Sequence, residues 1–198
     1  MSTQPTAQAM PGMIAYTLRP SAFTNNYPSL VVGVGSAGTV MYPANGQDDS
    51  YWIVIIDSMK PTTKVAEFVI PGTSNSTVPN GLDQYLSNPQ YIFALATQYL
   101  NTLHVPQGAL YTYLTKYGAG RELQKLEQIN SVLGCGSFGR MTYALTGPCG
   151  PRGPGNPTPT TYEAGSFTGS PALLLMSLMP LPNGQPPYSI CNSYTFKT

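Results

Sequence analysis

The sequence predicts an α+β fold in which twisted antiparallel or mixed β-sheets carry two or three short helices. Gly and Pro contribute 20 residues each to the 198-residue chain, so turns should be frequent and long helices scarce. Most apolar runs are short and rich in β-branched residues, as in strands. Two longer segments repeat apolar residues at helical spacing. An N-terminal arm and a Pro/Gly-rich C-terminal extension are expected to flank the folded part.

The first 49 residues are interpreted as an arm followed by the first strands. Residues 1–11 show no hydrophobic periodicity, which predicts the arm. Short apolar segments predict strands over 13–18, 30–34 and 39–42. The segment 20–28 between the first two is typical of a loop.

One glycine pattern in this region resembles a nucleotide-binding motif. Gly33, Gly35 and Gly38 have the spacing of a dinucleotide-binding loop and follow a predicted strand. That loop must open a helix, because the pyrophosphate binds the amides at a helix N-terminus. Pro43 and the β-branched residues after Gly38 exclude such a helix. A bent or bulged strand connection is therefore favoured.

The central region begins with the clearest strand signal in the chain. Residues 51–57 form a continuous apolar run, typical of a strand buried on both faces. Residues 64–70 alternate between two faces, and the two segments predict a hairpin. We expect this hairpin to be central in the sheet, with four of its side chains largely buried or packed: Trp52, Ile53, Ile55 and Phe68.

Helices and further strands follow up to residue 150. Asn80 is predicted to cap a short helix. Residues 106–117 and 123–133 place apolar side chains at helical spacing and predict two further helices. Strands are predicted over 91–97 and 141–146.

The composition changes after residue 146. The triplets GPC-GPR-GPG predict an extended linker, which continues over 157–169. Strands are predicted over 172–178 and 188–196. These apolar strands must either fold back onto the central domain or add to a neighbouring subunit. The chain is thus divided into residues 1–49, a core domain over 50–150, and the linker and strands of 151–198.

The chain is unusually poor in charge. Charged residues make up 9% of it and the formal net charge is +1, where about 25% charged residues is usual for a soluble domain. Chains with such neutral surfaces are often secreted, glycosylated or packed against copies of themselves. Arg121, Lys125 and Arg140 are too few and too far apart for a nucleic-acid footprint.

No apolar run is long enough for a membrane span, and the N-terminus does not resemble a signal peptide. Met1 favours release inside a virus particle, so an extracellular or virion location is expected.

The cysteines and the single histidine do not form a recognisable catalytic or metal pattern. Cys135, Cys149 and Cys191 allow either one disulfide plus a thiol or three thiols. A Cys149–Cys191 bond is an option if the tail returns to its own domain. His104 stands alone, so a zinc site and Cys/His catalysis are both disfavoured. We expect no cofactor and no metal.

Two polar turns carry weaker signals. A cation could bind beside Asp48 and Asp49, but the EF-hand pattern is missing and a solvated turn is favoured. Asn75 begins an Asn-Ser-Thr glycosylation acceptor, which matters only in a eukaryotic secretory setting.

Four short segments between residues 50 and 150 follow one another in a recognisable order. They are an opening hairpin (YWIVIIDSMKPTTKVAEFVI), a helix, turn and buried strand (GLDQYLSNPQYIFALAT), a leucine-bearing helix ending in Gly-Ala (ALYTYLTKYGAGRELQKL), and a last strand (FGRMTYALTGPCG). In this order, and in Arg140, Tyr143 and Gly147, the region resembles the interleukin-like EMT inducer (ILEI) domain of secreted cytokine-like proteins and some glycosyltransferase stems.

The resemblance implies a compact α+β domain with twisted antiparallel sheets and a recognition role without catalysis. Members of that family often carry an acidic loop after the strand equivalent to residues 91–97. The segment QYLNTLHVPQG stands there and contains no acidic residue. No binding residues are therefore carried over from the family.

These observations predict a non-enzymatic structural subunit of an extracellular particle, specifically a phage-type virion or tail component. Its partners would be copies of itself or other structural subunits. The alternative is a secreted ILEI-like recognition module that binds a glycan or a cell-surface protein. The neutral surface and the expected arm and tail favour the assembly role, because a permanent interface removes the solubility problem of low charge.

Overall fold

A computed structural model describes residues 12–34, 37–133, 139–152, 160–167 and 172–192. The described strands, in chain order, are β1 (Ile14–Arg19), β2 (Ser29–Val34), β3 (Ala37–Met41), β4 (Ser50–Asp57), β5 (Lys64–Pro71), β6 (Tyr91–Gln98), β7 (Leu100–Asn101), β8 (Arg140–Pro148), β9 (Tyr162–Ser166), β10 (Leu174–Met179) and β11 (Ser189–Asn192). The described helices are α1 (Leu82–Leu86), α2 (Gly108–Lys116) and α3 (Arg121–Leu133). The predicted arm over 1–11 lies outside the described residues.

The strands form two antiparallel sheets, which confirms the predicted α+β class. The first sheet has the order β11-β10-β1-β2-β3. The second has the order β5-β4-β6-β8-β7, and β9 also pairs with β8. The first sheet thus combines strands from both ends of the chain.

The molecule has three layers, and the second sheet is the middle one. Along β4, Trp52, Val54 and Ile56 belong to the core cluster shared with the first sheet. Tyr51 and Ile53 alternate with them and belong to the cluster shared with the helices. Because successive side chains of a strand point to opposite faces, a continuous apolar run fits a strand covered on both sides. The prediction for this segment is confirmed.

The predicted β4–β5 hairpin is present, but only β4 is central. Trp52, Ile53 and Ile55 are buried, and Phe68 packs against the helix-side core. The expectation that the whole hairpin is central was wrong for β5, which among the described strands pairs with β4 alone and forms an edge. Strand β4 lies between β5 and β6, and the mostly half-exposed side chains of β5 fit an edge position.

The glycine pattern near residue 35 lies in a hairpin and not at the start of a helix. Gly33 on β2 is paired with Gly38 on β3, and β3 continues as a strand. Gly35 lies outside the described residues. The interpretation as a strand connection therefore fits the described part, and the helix that a dinucleotide loop requires does not begin at Gly38.

Two predicted helix starts differ from the structure. The N-cap of α1 is Gly81, in the left-handed region at φ 80°, and no side chain caps the helix. The expected Asn80 cap was therefore wrong. The second helix begins at Gly108, not at Pro106.

The tail returns to its own chain at two places. Strand β9, within the segment predicted to be a linker, extends the second sheet beside β8. Strand β10 pairs with β1, so the tail also completes the first sheet. On β9, Glu163 accepts hydrogen bonds from the amides of Gly120 and Glu122 at the start of α3. These charge-assisted bonds at a helix N-terminus favour the strand over a free linker. Residues 153–159, 168–171 and 193–198, including parts of the predicted linker and last strand, lie outside the described residues.

Candidate functional site

The acidic turn and the single histidine, 55 residues apart in sequence, meet at one end of the two sheets. The Asp49 Oδ2 atom lies 2.6 Å from His104 Nδ1. The other carboxylate oxygen accepts a hydrogen bond of 2.9 Å from the amide of Asn101. The Tyr51 hydroxyl donates to the backbone oxygen of His104. Asp49 and His104 therefore join the start of β4 to the turn after β7.

Three loops converge at this end of the molecule, which we call the loop end: residues 20–28, 42–49 and 98–104. Strand β1 ends here and β2 begins here, since Arg19 is paired with Ser29. Ser50 at the start of β4 is likewise paired with Gln98 at the end of β6. An isolated bridge between Ser21 and Gln98 connects the two sheets at this point.

The backbone of the loop end is held in an uncommon conformation. Asn25, Asp49 and Tyr99 have φ angles of 57°, 59° and 45°. They are the non-glycine residues with positive φ in the described part of the chain, and each lies in a different one of the three loops. A bulky residue such as Tyr99 is rare in this region. Such strain persists only where surrounding contacts enforce it, and it concentrates at functional sites.

Hydrogen bonds and close packing hold the three loops in this conformation. The amide of Asn25 donates to Asp48 Oδ1 over 3.4 Å, and the side chain of Gln98 donates to the same atom over 3.3 Å. The Tyr99 amide donates to the backbone oxygen of Ser21 over 2.8 Å. The Tyr27 ring lies so close to Gly46 that a Cβ there would be 2.3 Å from it. The three loops thus form one packed unit.

The loop end also carries the most exposed aromatic side chains. Phe23 is 61%, Tyr27 44% and Tyr42 53% exposed. In the part of the chain that the structure describes, these three are the aromatic residues exposed by more than a third. The sequence already showed many tyrosines, but which of them face solvent depends on the tertiary fold.

A second polar cluster joins α1 to α2. The hydroxyl groups of Tyr113 and Tyr117 both donate to Asp83 Oδ1, over 3.3 and 3.1 Å. Burial, together with the neighbouring Asp83 carboxylate, raises the pKa of Tyr117 to about 12. Both phenols remain hydrogen-bond donors at neutral pH, so this cluster holds the two helices together.

The structure places no disulfide between Cys149 and Cys191, the pair considered from the sequence. Cys149 and Cys191 are both free thiols. Cys149 is buried in the helix-side core, whereas Cys191 lies on β11 and is only partly buried. Burial raises the pKa of Cys149 to about 12. Cys135 lies outside the described residues.

Cysteine labelling should reflect this difference. We expect Cys149 to stay unmodified by a thiol reagent at neutral pH in the folded protein, because it is buried and fully protonated. It should react after unfolding. Peptide mapping by mass spectrometry measures both states. A non-reduced peptide linking Cys149 to Cys191 would contradict the free-thiol arrangement.

The asparagine of the predicted glycosylation acceptor has a hydrogen-bond partner in the fold. The Asn75 side-chain amide donates to the backbone oxygen of Val105 over 2.9 Å, so the acceptor nitrogen of the glycosylation motif is engaged.

Within the described ranges, no group of three His, Cys, Asp or Glu residues is placed to hold a metal ion. None of the described helices is both long and apolar enough to cross a membrane.

No protein-family model matches the chain, and no curated protein matches it either. The resemblance of residues 50–150 to the ILEI domain therefore stays a prediction.

Proposed function

We propose that this chain is a non-enzymatic assembly subunit of an extracellular particle, in particular a phage-type virion or tail. The observation that most supports this proposal is the neutral outer face of the first sheet. We define the outer face as the side turned away from the second sheet. Its residues are Ala15, Thr17, Arg19, Ser29, Val31, Gly33, Gly38, Val40, Leu175, Ser177, Met179, Ser189 and Cys191.

This outer face is almost without charge. Of the residues just named, Arg19 alone is charged, and it lies at the end of β1. One row crosses four strands in register: Leu175, Thr17, Val31 and Val40. Leu175 is 58% and Val40 45% exposed. The flanking row of Ser177, Ala15, Gly33 and Gly38 contains only small side chains.

A surface of this kind suits a second copy of the chain. Large contiguous apolar patches are rare on monomeric proteins and mark interaction sites. Two sheets stack face to face at about 10 Å, and small side chains allow that approach. A formal net charge of +1 leaves little repulsion between copies.

The titratable groups that have defined structural partners favour a structural role over catalysis. Asp49 and His104 bind each other and fix a turn. Glu163 caps α3, and Asp83 joins two helices. Cys149 is a buried, protonated thiol. Each group is already engaged in holding the fold together.

Sedimentation analysis over a range of concentrations tests the proposal. We expect the wild type to self-associate, and Val40→Glu to weaken association by about tenfold or more, because it would bury a charge in the interface at the β3 end of this row. Val65→Glu is the matched control, since Val65 is a partly exposed valine on β5 in the other sheet.

Two results would contradict the proposal. One is a wild-type protein that stays monomeric at high concentration. The other is an equal loss of association in the Val40→Glu and Val65→Glu variants, which would place the interface away from the outer face.

A further inference from the structure

We propose that the loop end is a binding site for a neutral carbohydrate chain. This inference is separate from the assembly role, because none of the residues that define the loop end belongs to the outer face of the first sheet. It follows from four features of the loop end: its aromatic side chains, its polar groups, its charge balance and its rigidity.

The aromatic residues have the exposure that sugar stacking requires. Phe23, Tyr27 and Tyr42 present their rings at the end of the first sheet, where β1 and β3 end and β2 begins. The two tyrosine rings offer a flat apolar surface together with a hydroxyl group for hydrogen bonding, and Phe23 adds a further apolar ring, all at little cost in side-chain entropy. Sugars present the matching surface, since their C–H groups form an apolar face and their hydroxyl groups surround it.

Planar amide groups lie in the same loops as these rings. Asn25, Asn45 and Gln47 are exposed in the two loops that carry the aromatic residues. An amide side chain offers both a donor and an acceptor, which suits the vicinal hydroxyl groups of a sugar. Few but well-placed polar groups set orientation and specificity in a binding site.

One buried acceptor at the loop end lacks a partner. Gln98 is 1% exposed, and its Oε1 atom has no hydrogen-bond partner among the described residues. It lies near Gly46, where a Cβ would come within 3.2 Å of that oxygen. This unsatisfied buried acceptor has a free-energy cost, which a hydrogen bond from a donor group bound at the loop end would remove.

The charges at the loop end nearly cancel, which selects a neutral ligand. Asp48 and Asp49 are acidic, whereas Arg19 binds Asn26 over 3.4 Å and Arg140 stacks 4.4 Å from the centre of the Tyr99 ring. A phosphate or sulfate ligand would need a surplus of cations. The carboxylates of Asp48 and Asp49 would repel such an anion.

The conformation of the site is fixed before the ligand binds. The three positive φ angles and the hydrogen bonds to Asp48 and Asp49 hold the loops in place. A preorganised site loses less conformational entropy on binding.

A glycan array tests this site. The probes are immobilised neutral oligosaccharides built from hexoses and N-acetylhexosamines, beside sialylated and sulfated glycans. We expect binding to neutral probes, followed by measurement of the dissociation constant for the best soluble oligosaccharide by calorimetry. Phe23→Ala and Tyr42→Ala should each weaken that binding by about tenfold or more. Val132→Ala, an exposed apolar residue on α3, is the control and should leave binding unchanged.

Because Phe23 and Tyr42 are exposed, their replacement should not disturb folding. Far-ultraviolet circular dichroism of each variant checks this. The absence of any neutral hit would overturn the proposal, and so would binding confined to anionic glycans. Neutral binding that survives both aromatic substitutions would also overturn it. A change in oligomeric state without loss of glycan binding would instead assign the rings to a protein contact.

Discussion

Deletion of residues 156–198 should leave a chain that aggregates or fails to assemble. The deletion removes β10 from the first sheet, where it pairs with β1 along five residue pairs. It also removes β9, whose Glu163 caps α3. Tyr16 and Leu18, now fully buried, would lose part of their cover. Light scattering and circular dichroism of the truncated chain measure the effect.

A point variant makes the same test without shortening the chain. Leu178 on β10 is fully buried, so Leu178→Ala should lower the free energy of unfolding by about 2–5 kcal/mol. Leu173, just before the same strand, is exposed, and Leu173→Ala should change it by less than about 0.5 kcal/mol. A truncated chain that stays soluble, folded and able to assemble would contradict the structural role of the tail.

Replacement of the single tryptophan should cost about as much as the largest core truncations. Trp52 is fully buried between the two sheets, in one cluster with Tyr16, Leu30 and Met176. Trp52→Ala leaves a cavity that the sheets cannot close without shifting, so the free energy of unfolding should fall by about 3–5 kcal/mol. Urea denaturation followed by far-ultraviolet circular dichroism measures it, since the variant lacks tryptophan fluorescence.

Val132→Ala on α3 is again the control, because its side chain is largely exposed and its loss should be nearly neutral. A loss of less than about 1 kcal/mol in Trp52→Ala would mean that the contact between the sheets does not depend on this side chain.

Several elements could be predicted because their signals are local. The apolar run of β4, the alternation of β5 and the helical spacing of α2 and α3 each lie within one short segment. Burial on both faces of β4 followed from the unbroken run alone. The ends of α1 and α2 were less predictable, since Gly81 serves as an N-cap through backbone conformation, which composition does not reveal.

The candidate site could not be predicted in the same way. Asp49 and His104 were each examined from the sequence, yet neither segment indicates the other, because the hydrogen bond between them spans 55 residues. The three residues with positive φ carry no local signal beyond a modest preference of Asn and Asp for turns. Tyr42 and the fully buried Tyr51 look alike in sequence, and only the fold separates them.

By itself the sequence determined the α+β class, the order of most strands and helices, and a neutral, tyrosine-rich composition. These properties depend on composition and on the periodicity of apolar residues, and both can be read from short stretches of neighbouring residues. The tertiary structure alone decided that β10 pairs with β1, that Glu163 caps α3, and that three strained loops share one end. Each of these depends on which distant segments meet, and that choice is made by burying the apolar faces of all the elements together.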